Sequence, residues 1–219
     1  MKALFFMVAL TISTVACHGM KGQVTGSGNR QVQTRDVPAF TSIRTEGAFE
    51  IDVISQKERS LEIEADDNLL PLINTTVSNN ILYIKSSRSL STREGVRIKI
   101  GVPDLQALTA YGAGNIEVSK LKNNSFEIDV NGAPTVEVSG DTGTLKIEAN
   151  GAVKIDAHRL HASEATVSAN GVAKVSLHAR DKLDVTVSGP SHVTYDGDPL
   201  LTKHVNGPGT VEKRASAGE

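Results

Sequence analysis

The chain has 219 residues, of which 39% are hydrophobic and 22% charged, so it is not an intrinsically disordered chain and can bury a substantial core. Aromatic residues make up only 4%, with no Trp, and the core must therefore consist mainly of aliphatic side chains. The 23 Lys and Arg nearly balance the 25 Asp and Glu, and we expect no nucleic-acid partner.

The N-terminus has the features of a bacterial export signal. Lys2 precedes an apolar run over residues 3–12, which is too short to span a bilayer, and small residues follow up to Ala16. We predict a signal peptide over residues 1–16. Cys17, the only cysteine, completes a sequence that resembles a lipobox, and this implies lipid attachment to its thiol.

The alternative is an ordinary secretory peptide that is also cut after Ala16. Either way we expect an exported protein. It is a lipoprotein anchored in a bacterial membrane and facing the periplasm or the cell surface, or else a soluble secreted or periplasmic protein.

A single folded domain is expected over residues 31–213. Residues 17–30 are Gly-rich and polar, which favours a flexible tether, and residues 214–219 are expected to form a flexible tail. Between residues 31 and 102 apolar and polar residues alternate in several segments, as in half-buried strands. Residues 66–73 interrupt this pattern and predict a short helical turn or a connection across the sheet.

Residues 103–213 contain a repeat. Glycines recur at intervals of 18 to 20 residues, at Gly112, Gly132, Gly151, Gly171, Gly189 and Gly207. The fourth residue after each glycine is β-branched: Ile116, Val136, Ile155, Val175, Val193 and Val211. Four of the glycines follow an asparagine: Asn131, Asn150, Asn170 and Asn206.

Stacking of the repeats explains this pattern best. One unit cannot bury its inward residues alone, whereas units stacked about 4.8 Å apart place like residues over like and close a core. We therefore predict an all-β fold, a β-solenoid or parallel β-helix-like stack, in which the asparagine amides can hydrogen-bond from unit to unit. The alternative is an antiparallel β-sandwich, since Asn-Gly is also a strong hairpin signal.

Several segments resemble a known family: residues 46–53, 64–70, 102–108 and 112–116. They are similar to the bacterial exported family labelled putative auto-transporter adhesin, head GIN domain, and the similarity extends over roughly residues 35–212. The resemblance implies a β-solenoid-like fold in surface or periplasmic proteins, many of them lipoproteins, with no established enzymatic activity. It supplies no site residue.

An outward column of carboxylates is the main candidate site. Glu117, Glu137 and Asp156 occupy the fifth position after their glycines, and Lys154 and Lys174 are placed to relieve their mutual repulsion. The column is either a solvated face of mixed charge, a calcium site, or an acid and base pair that cleaves a polysaccharide. Strand alternation alone accounts for polar residues there and favours the first interpretation.

Histidines form a second candidate site. His158 and His178 share the seventh position and are expected in adjacent coils, where they could hold a metal ion together with Asp196. The alternative is a pair of surface histidines at coil corners, and His161 is expected to lie in the following connection without a fixed partner. Nearby arginines favour this alternative, so we predict no metal and no cofactor.

No catalytic motif is visible in the sequence. The chain has no nucleophile elbow and no phosphate-binding loop, and the absence of Trp weakens the case for a sugar-stacking groove. We therefore predict a non-catalytic binding or adhesion module whose partner is a glycan or a surface protein. The alternatives are a polysaccharide-active enzyme and a structural envelope protein.

Overall fold

The computed structural model describes residues 22–214; the predicted signal peptide, Cys17 and residues 215–219 lie outside it. The described residues form strands and one 3₁₀ turn. The strands are β1 (Val24–Thr25), β2 (Arg30–Thr34), β3 (Ser42–Gly47), β4 (Glu50–Ser55), β5 (Ser60–Asp66), β6 (Ile73–Ser78), β7 (Ile81–Ser86), β8 (Leu90–Ser91), β9 (Arg97–Val102), β10 (Ala107–Gly112), β11 (Asn115–Gly132), β12 (Thr135–Gly151), β13 (Lys154–Gly171), β14 (Lys174–Ser188), β15 (His192–Asp196), β16 (Leu200–Asn206) and β17 (Thr210–Lys213). The turn at Leu70–Leu72 lies in the segment for which the sequence predicts one.

The repeats form a parallel β-solenoid. Each of the long strands β11, β12 and β13 runs from one corner glycine to the next, and each pairs in parallel with its neighbours along the stack. Ile116 pairs with Val136, which pairs with Ile155, so the β-branched column predicted from the sequence is in register. The prediction of a solenoid is therefore confirmed, and the antiparallel sandwich is not formed.

Two sheet faces result from this stacking. Face A is built from the strand segments that precede the corner glycines, in the order β6-β7-β3-β10-β11-β12-β13-β14-β16. Face B is built from the segments that follow them, in the order β2-β5-β9-β4-β11-β12-β13-β14-β15-β17. The N-terminal strands thus extend both faces, and the antiparallel pairings within residues 22–214 are confined to them.

The core lies between the faces and consists of inward side chains stacked coil upon coil. Nearly all of them are aliphatic, and Phe126 is the largest that is fully buried. The corners require glycine because successive coils approach closely there. At Gly132, with φ +110°, a Cβ would lie 2.5 Å from the carbonyl oxygen of Gly112.

Charged residues end the stack at its C-terminal side. Lys203 pairs with Val185 and continues an inward column of face A, while Lys213 pairs with Tyr195 and continues one of face B. Both lysines are exposed, and Lys213 forms an ion pair with Asp198. An inward-pointing charge prevents another apolar coil from adding to the edge strand, so these lysines terminate the solenoid.

The segment over residues 22–30, within the range for which the sequence predicts a tether, lies on the body of the domain. Val24–Thr25 pairs with Leu90–Ser91, and Ser27 Oγ and Asn29 Nδ2 donate hydrogen bonds to the carboxylate of Asp67 at 2.5 and 2.9 Å. These bonds hold the pKa of Asp67 below its usual value. Composition alone does not reveal these contacts. No helix within residues 22–214 is long and apolar enough to cross a bilayer.

Candidate binding groove on face B

The predicted carboxylates lie side by side on the outer surface of face B. Glu117 pairs with Glu137, and Glu137 pairs with Asp156, so successive coils bring the three predicted residues into one row. The structure adds Asp52, which pairs with Glu117 from strand β4. We call these four residues the acidic row. Asp52 lies outside the glycine repeat, and the spacing therefore did not place it.

A groove follows the acidic row. One cavity of about 400 Å³ is lined by Asp52 and Glu117 together with residues of β5 and β9. A second cavity of about 420 Å³ is lined by the same two carboxylates and continues to Glu137. Each volume lies in the range of small-ligand sites. We call the two cavities together the face B groove.

Close packing of a loop against the sheet shapes one end of the groove. Gly101 lies on the outer side of β9, where a Cβ would be 2.4 Å from the carbonyl oxygen of Glu58 and 2.6 Å from Ser60 Oγ. Because Gly101 has no side chain, the loop before β5 can approach the sheet. That approach brings Lys57 to the wall of the groove, near Lys99.

The acidic row is neutralised differently from the prediction. Lys154 and Lys174 pair with each other in the neighbouring outward column, and neither forms an ion pair with another described residue. Instead Arg159 Nη2 lies 3.4 Å from Glu137 Oε2, and the ring of His158 contacts Asp156. Within residues 22–214 the two predicted lysines thus form no ion pair with the acidic row, and Arg159 and His158 make the contacts to its carboxylates.

The two ends of the acidic row differ in charge environment. Burial alone would raise the pKa of Asp156, but hydrogen bonds from the ring and backbone of His158 hold it below its usual value. Asp52 and Glu117 lie directly opposite each other, and neither forms an ion pair within the described part of the chain. Their oxygens are available to accept hydrogen bonds from a ligand in the groove.

The predicted histidine pair is not formed. A register shift between Ala157 and His161 places His161, not His158, opposite His178. The ring centroids of His161 and His178 are 4.9 Å apart in an edge-to-face arrangement. His161 therefore has a fixed neighbour, contrary to the sequence-based expectation, and its Nδ1 lies 3.5 Å from Asp141 Oδ1.

The environment of His178 opposes a positive charge. Burial lowers the pKa of His178, and the adjacent His161 lowers it further, while Asp196 opposes the shift. Asp196 does pair with His178 along the stack, as the sequence predicts, but its carboxylate lies 3.5 Å from Arg214 Nε. No cluster of three or more His, Cys, Asp or Glu suited to a metal ion occurs in residues 22–214.

The chain is similar to a known protein family in sequence and to several solved structures in fold. A model of the family described as putative auto-transporter adhesin, head GIN domain, matches residues 39–199. A search of curated proteins finds no match.

Three solved structures share the fold. A putative adhesin from Bacteroides fragilis has 20% identity and a TM-score of 0.65, over 87% of this chain and 100% of that one. A putative adhesin from Parabacteroides merdae has 20% identity and a TM-score of 0.56, over 88% and 99%. A putative lipid binding protein from Parabacteroides distasonis has 20% identity and a TM-score of 0.58, over 89% and 100%.

Proposed function

The chain belongs to the head GIN domain family of putative auto-transporter adhesins, and we propose that it is an exported, non-catalytic module that binds a glycan or a protein at the bacterial cell envelope. The names of its structural relatives, two putative adhesins and one putative lipid binding protein, agree with a binding role. The proposal includes lipid attachment at Cys17, which would hold the module at a membrane.

One observation carries the proposal: the outward residues of each face are in register over many coils. Glu117, Glu137 and Asp156 illustrate this on face B, where three successive rungs, about 4.8 Å apart, each present a carboxylate. A surface of this kind offers the same contact repeatedly along its length. It suits a long partner, since such a partner can engage several rungs at once.

The alternative of a polysaccharide-active enzyme requires a carboxylic acid and a carboxylate of separate roles. Two members of the acidic row, Glu137 and Asp156, are engaged by Arg159 and His158. Against the effect of burial, hydrogen bonds from His158 hold the pKa of Asp156 below its usual value, which favours the ionised carboxylate over a proton donor at this position. This favours binding over proton donation by Asp156.

Retention of the mature chain on immobilised envelope polysaccharides and surface proteins tests the binding proposal. We expect retention of the chain from His18 onward on at least one class, with calcium and equally with a chelator. Loss of retention in chelator would instead assign the acidic row to a calcium site. Absence of retention on every class would favour the structural alternative and overturn the proposal.

Lipid attachment is tested separately with the full chain in a bacterial host that processes lipoproteins. We expect incorporation of labelled fatty acid and recovery in the membrane fraction, and we expect both to be lost in Cys17→Ser. Export without labelling would show that the N-terminus is an ordinary secretory peptide.

A further inference from the structure

Face A carries an aromatic patch that the sequence does not reveal. Tyr83 of β7 pairs with Arg44 of β3, and the guanidinium carbon of Arg44 lies 4.7 Å from the ring centroid of Tyr111 on β10. All three side chains belong to outward columns of this face. The third tyrosine, Tyr195, occupies an inward column and packs against the core.

A column of amides continues from this patch along the stack. Tyr111 pairs with Asn131, which pairs with Asn150 and then with Asn170, so each rung adds one amide beside the corner. All of these side chains are partly exposed. We call Tyr111, Asn131, Asn150 and Asn170, with Tyr83 and Arg44 at the N-terminal end, the amide row.

The amides do not use up their hydrogen-bonding capacity on one another. Asn170 Nδ2 donates to Asn150 Oδ1 at 3.0 Å, as expected for a ladder. Asn131 Nδ2 donates instead to Asp129 Oδ1 at 2.9 Å, so no ladder bond joins Asn131 to Asn150 among the described residues. The amide hydrogens of Asn150 and the amide oxygen of Asn131 therefore remain available to a ligand.

Several charges beside the amide row are paired within face A, whereas Asp129 and Lys85 form no ion pair within residues 22–214. Lys146 Nζ lies 2.8 Å from carboxylate oxygens of both Glu127 and Glu148, and these contacts raise the pKa of Lys146. Arg44 Nε lies 3.6 Å from Glu46 Oε1. The charges beside the amide row are of both signs, whereas the face B groove carries a row of carboxylates. This mixture of charges favours an uncharged ligand.

We propose that the amide row binds an uncharged, extended polysaccharide that runs along the solenoid axis. Amides satisfy sugar hydroxyls as both donors and acceptors, and a tyrosine ring offers an apolar face with a polar edge. Successive rungs are about 4.8 Å apart, close to the length of one sugar ring in an extended glycan. Each coil can therefore contact one sugar in the same way. This inference rests on the proposed binding function and names its ligand class and its site.

Calorimetric titration with a length series tests the proposal. The probes are cello-oligosaccharides and manno-oligosaccharides of two to six units, with oligogalacturonates as the acidic comparison. We expect affinity to rise with chain length for an uncharged series and to be weaker for the acidic series. Equal affinity at all lengths would overturn the proposal, since a single sugar-sized site would explain it.

Variants locate the site. Asn150→Ala should weaken binding of the longest uncharged probe by roughly 3- to 10-fold, the effect of losing one or two hydrogen bonds, and Tyr111→Ala should weaken it at least as much. Asn124→Ala replaces an exposed asparagine outside both the amide row and the face B groove, and this matched control should bind normally. Glu137→Gln tests whether the site lies on face B instead. Thermal unfolding of each variant checks that its fold is intact.

Two outcomes would contradict the amide row and leave the wider proposal standing. Loss of glycan binding in Glu137→Gln but not in Asn150→Ala would place the site on face B. Binding of an envelope protein or an acidic glycan, with none of the uncharged series bound, would show that the module binds a different class of partner.

Discussion

Replacing Gly151 by alanine introduces two destabilising effects that the corner glycines avoid: a strained backbone conformation and a clash between successive coils. Gly151 has φ +110°, and a Cβ there would lie 2.4 Å from the carbonyl oxygen of Gly132 in the preceding coil. Gly28 is a matched control, because its φ is +83° and nothing lies within 4 Å of an added Cβ. Gly28→Ala therefore measures the backbone strain alone, about 1–2 kcal/mol.

Gly151→Ala adds the cost of moving one coil away from the next. Inserting a carbon into a packed region costs about 1–3 kcal/mol, so we expect a total loss of about 2–5 kcal/mol of unfolding free energy. Urea unfolding followed by circular dichroism measures both variants. Equal losses in Gly151→Ala and Gly28→Ala would refute the claim that close coil stacking, rather than left-handed backbone conformation, requires glycine at the corners.

Three further predictions follow from the core, the open end and the histidine pair. Phe126→Ala should lower the unfolding free energy by about 3–5 kcal/mol in the same urea assay, since the ring is fully buried; a loss under about 1 kcal/mol would contradict the described core. Lys203→Val should cause concentration-dependent association in analytical ultracentrifugation, whereas Lys154→Val on the outer side of face B should not; identical sedimentation of the two would show that Lys203 does not guard the end. Because the folded-state pKa of His178 is lowered below its unfolded value, its contribution to stability is present above the unfolded pKa, near 6.5, and is lost as pH falls through the folded pKa. Between pH 7.5 and pH 5 the thermal midpoint should therefore fall more in the unmodified protein than in His178→Gln, and equal falls would contradict the burial of this ring.

The solenoid could be predicted because each coil repeats the same steric requirement. A corner needs glycine, and the fourth residue after it must fill the core, so spacing and residue type together specify the register from Ile116 to Val211. At the end of the stack Lys213 pairs with Tyr195 and takes the place of an inward apolar side chain on face B. Lys203 does the same on face A.

The details of the sites depend on features that counting residues does not capture. The register shift after Ala157 moves His178 away from His158 and beside His161. Asp52 joins the acidic row because β4 pairs with β11 across a long stretch of intervening chain. Long-range pairing of this kind leaves no periodic signal.

The amide row has a similar origin. Tyr83 and Tyr111 come from strands that are neighbours of β3 but are separated in the chain, and the pairing of β3 with both strands unites them. The asparagines were visible as a column, but the break in their ladder depends on the bond from Asn131 to Asp129. Side-chain hydrogen bonds of this kind follow from local geometry, which the residue pattern does not specify.

If this domain binds a polysaccharide without cleaving it, retention must occur with no release of new sugar ends. The most direct test incubates the mature chain with a polysaccharide that it retains and measures reducing ends over time in the same samples. We expect stable retention with no release of reducing ends above the protein-free control. A steady release that falls more than about 100-fold in Glu117→Gln or Glu137→Gln would contradict it and would make the acidic row an active site.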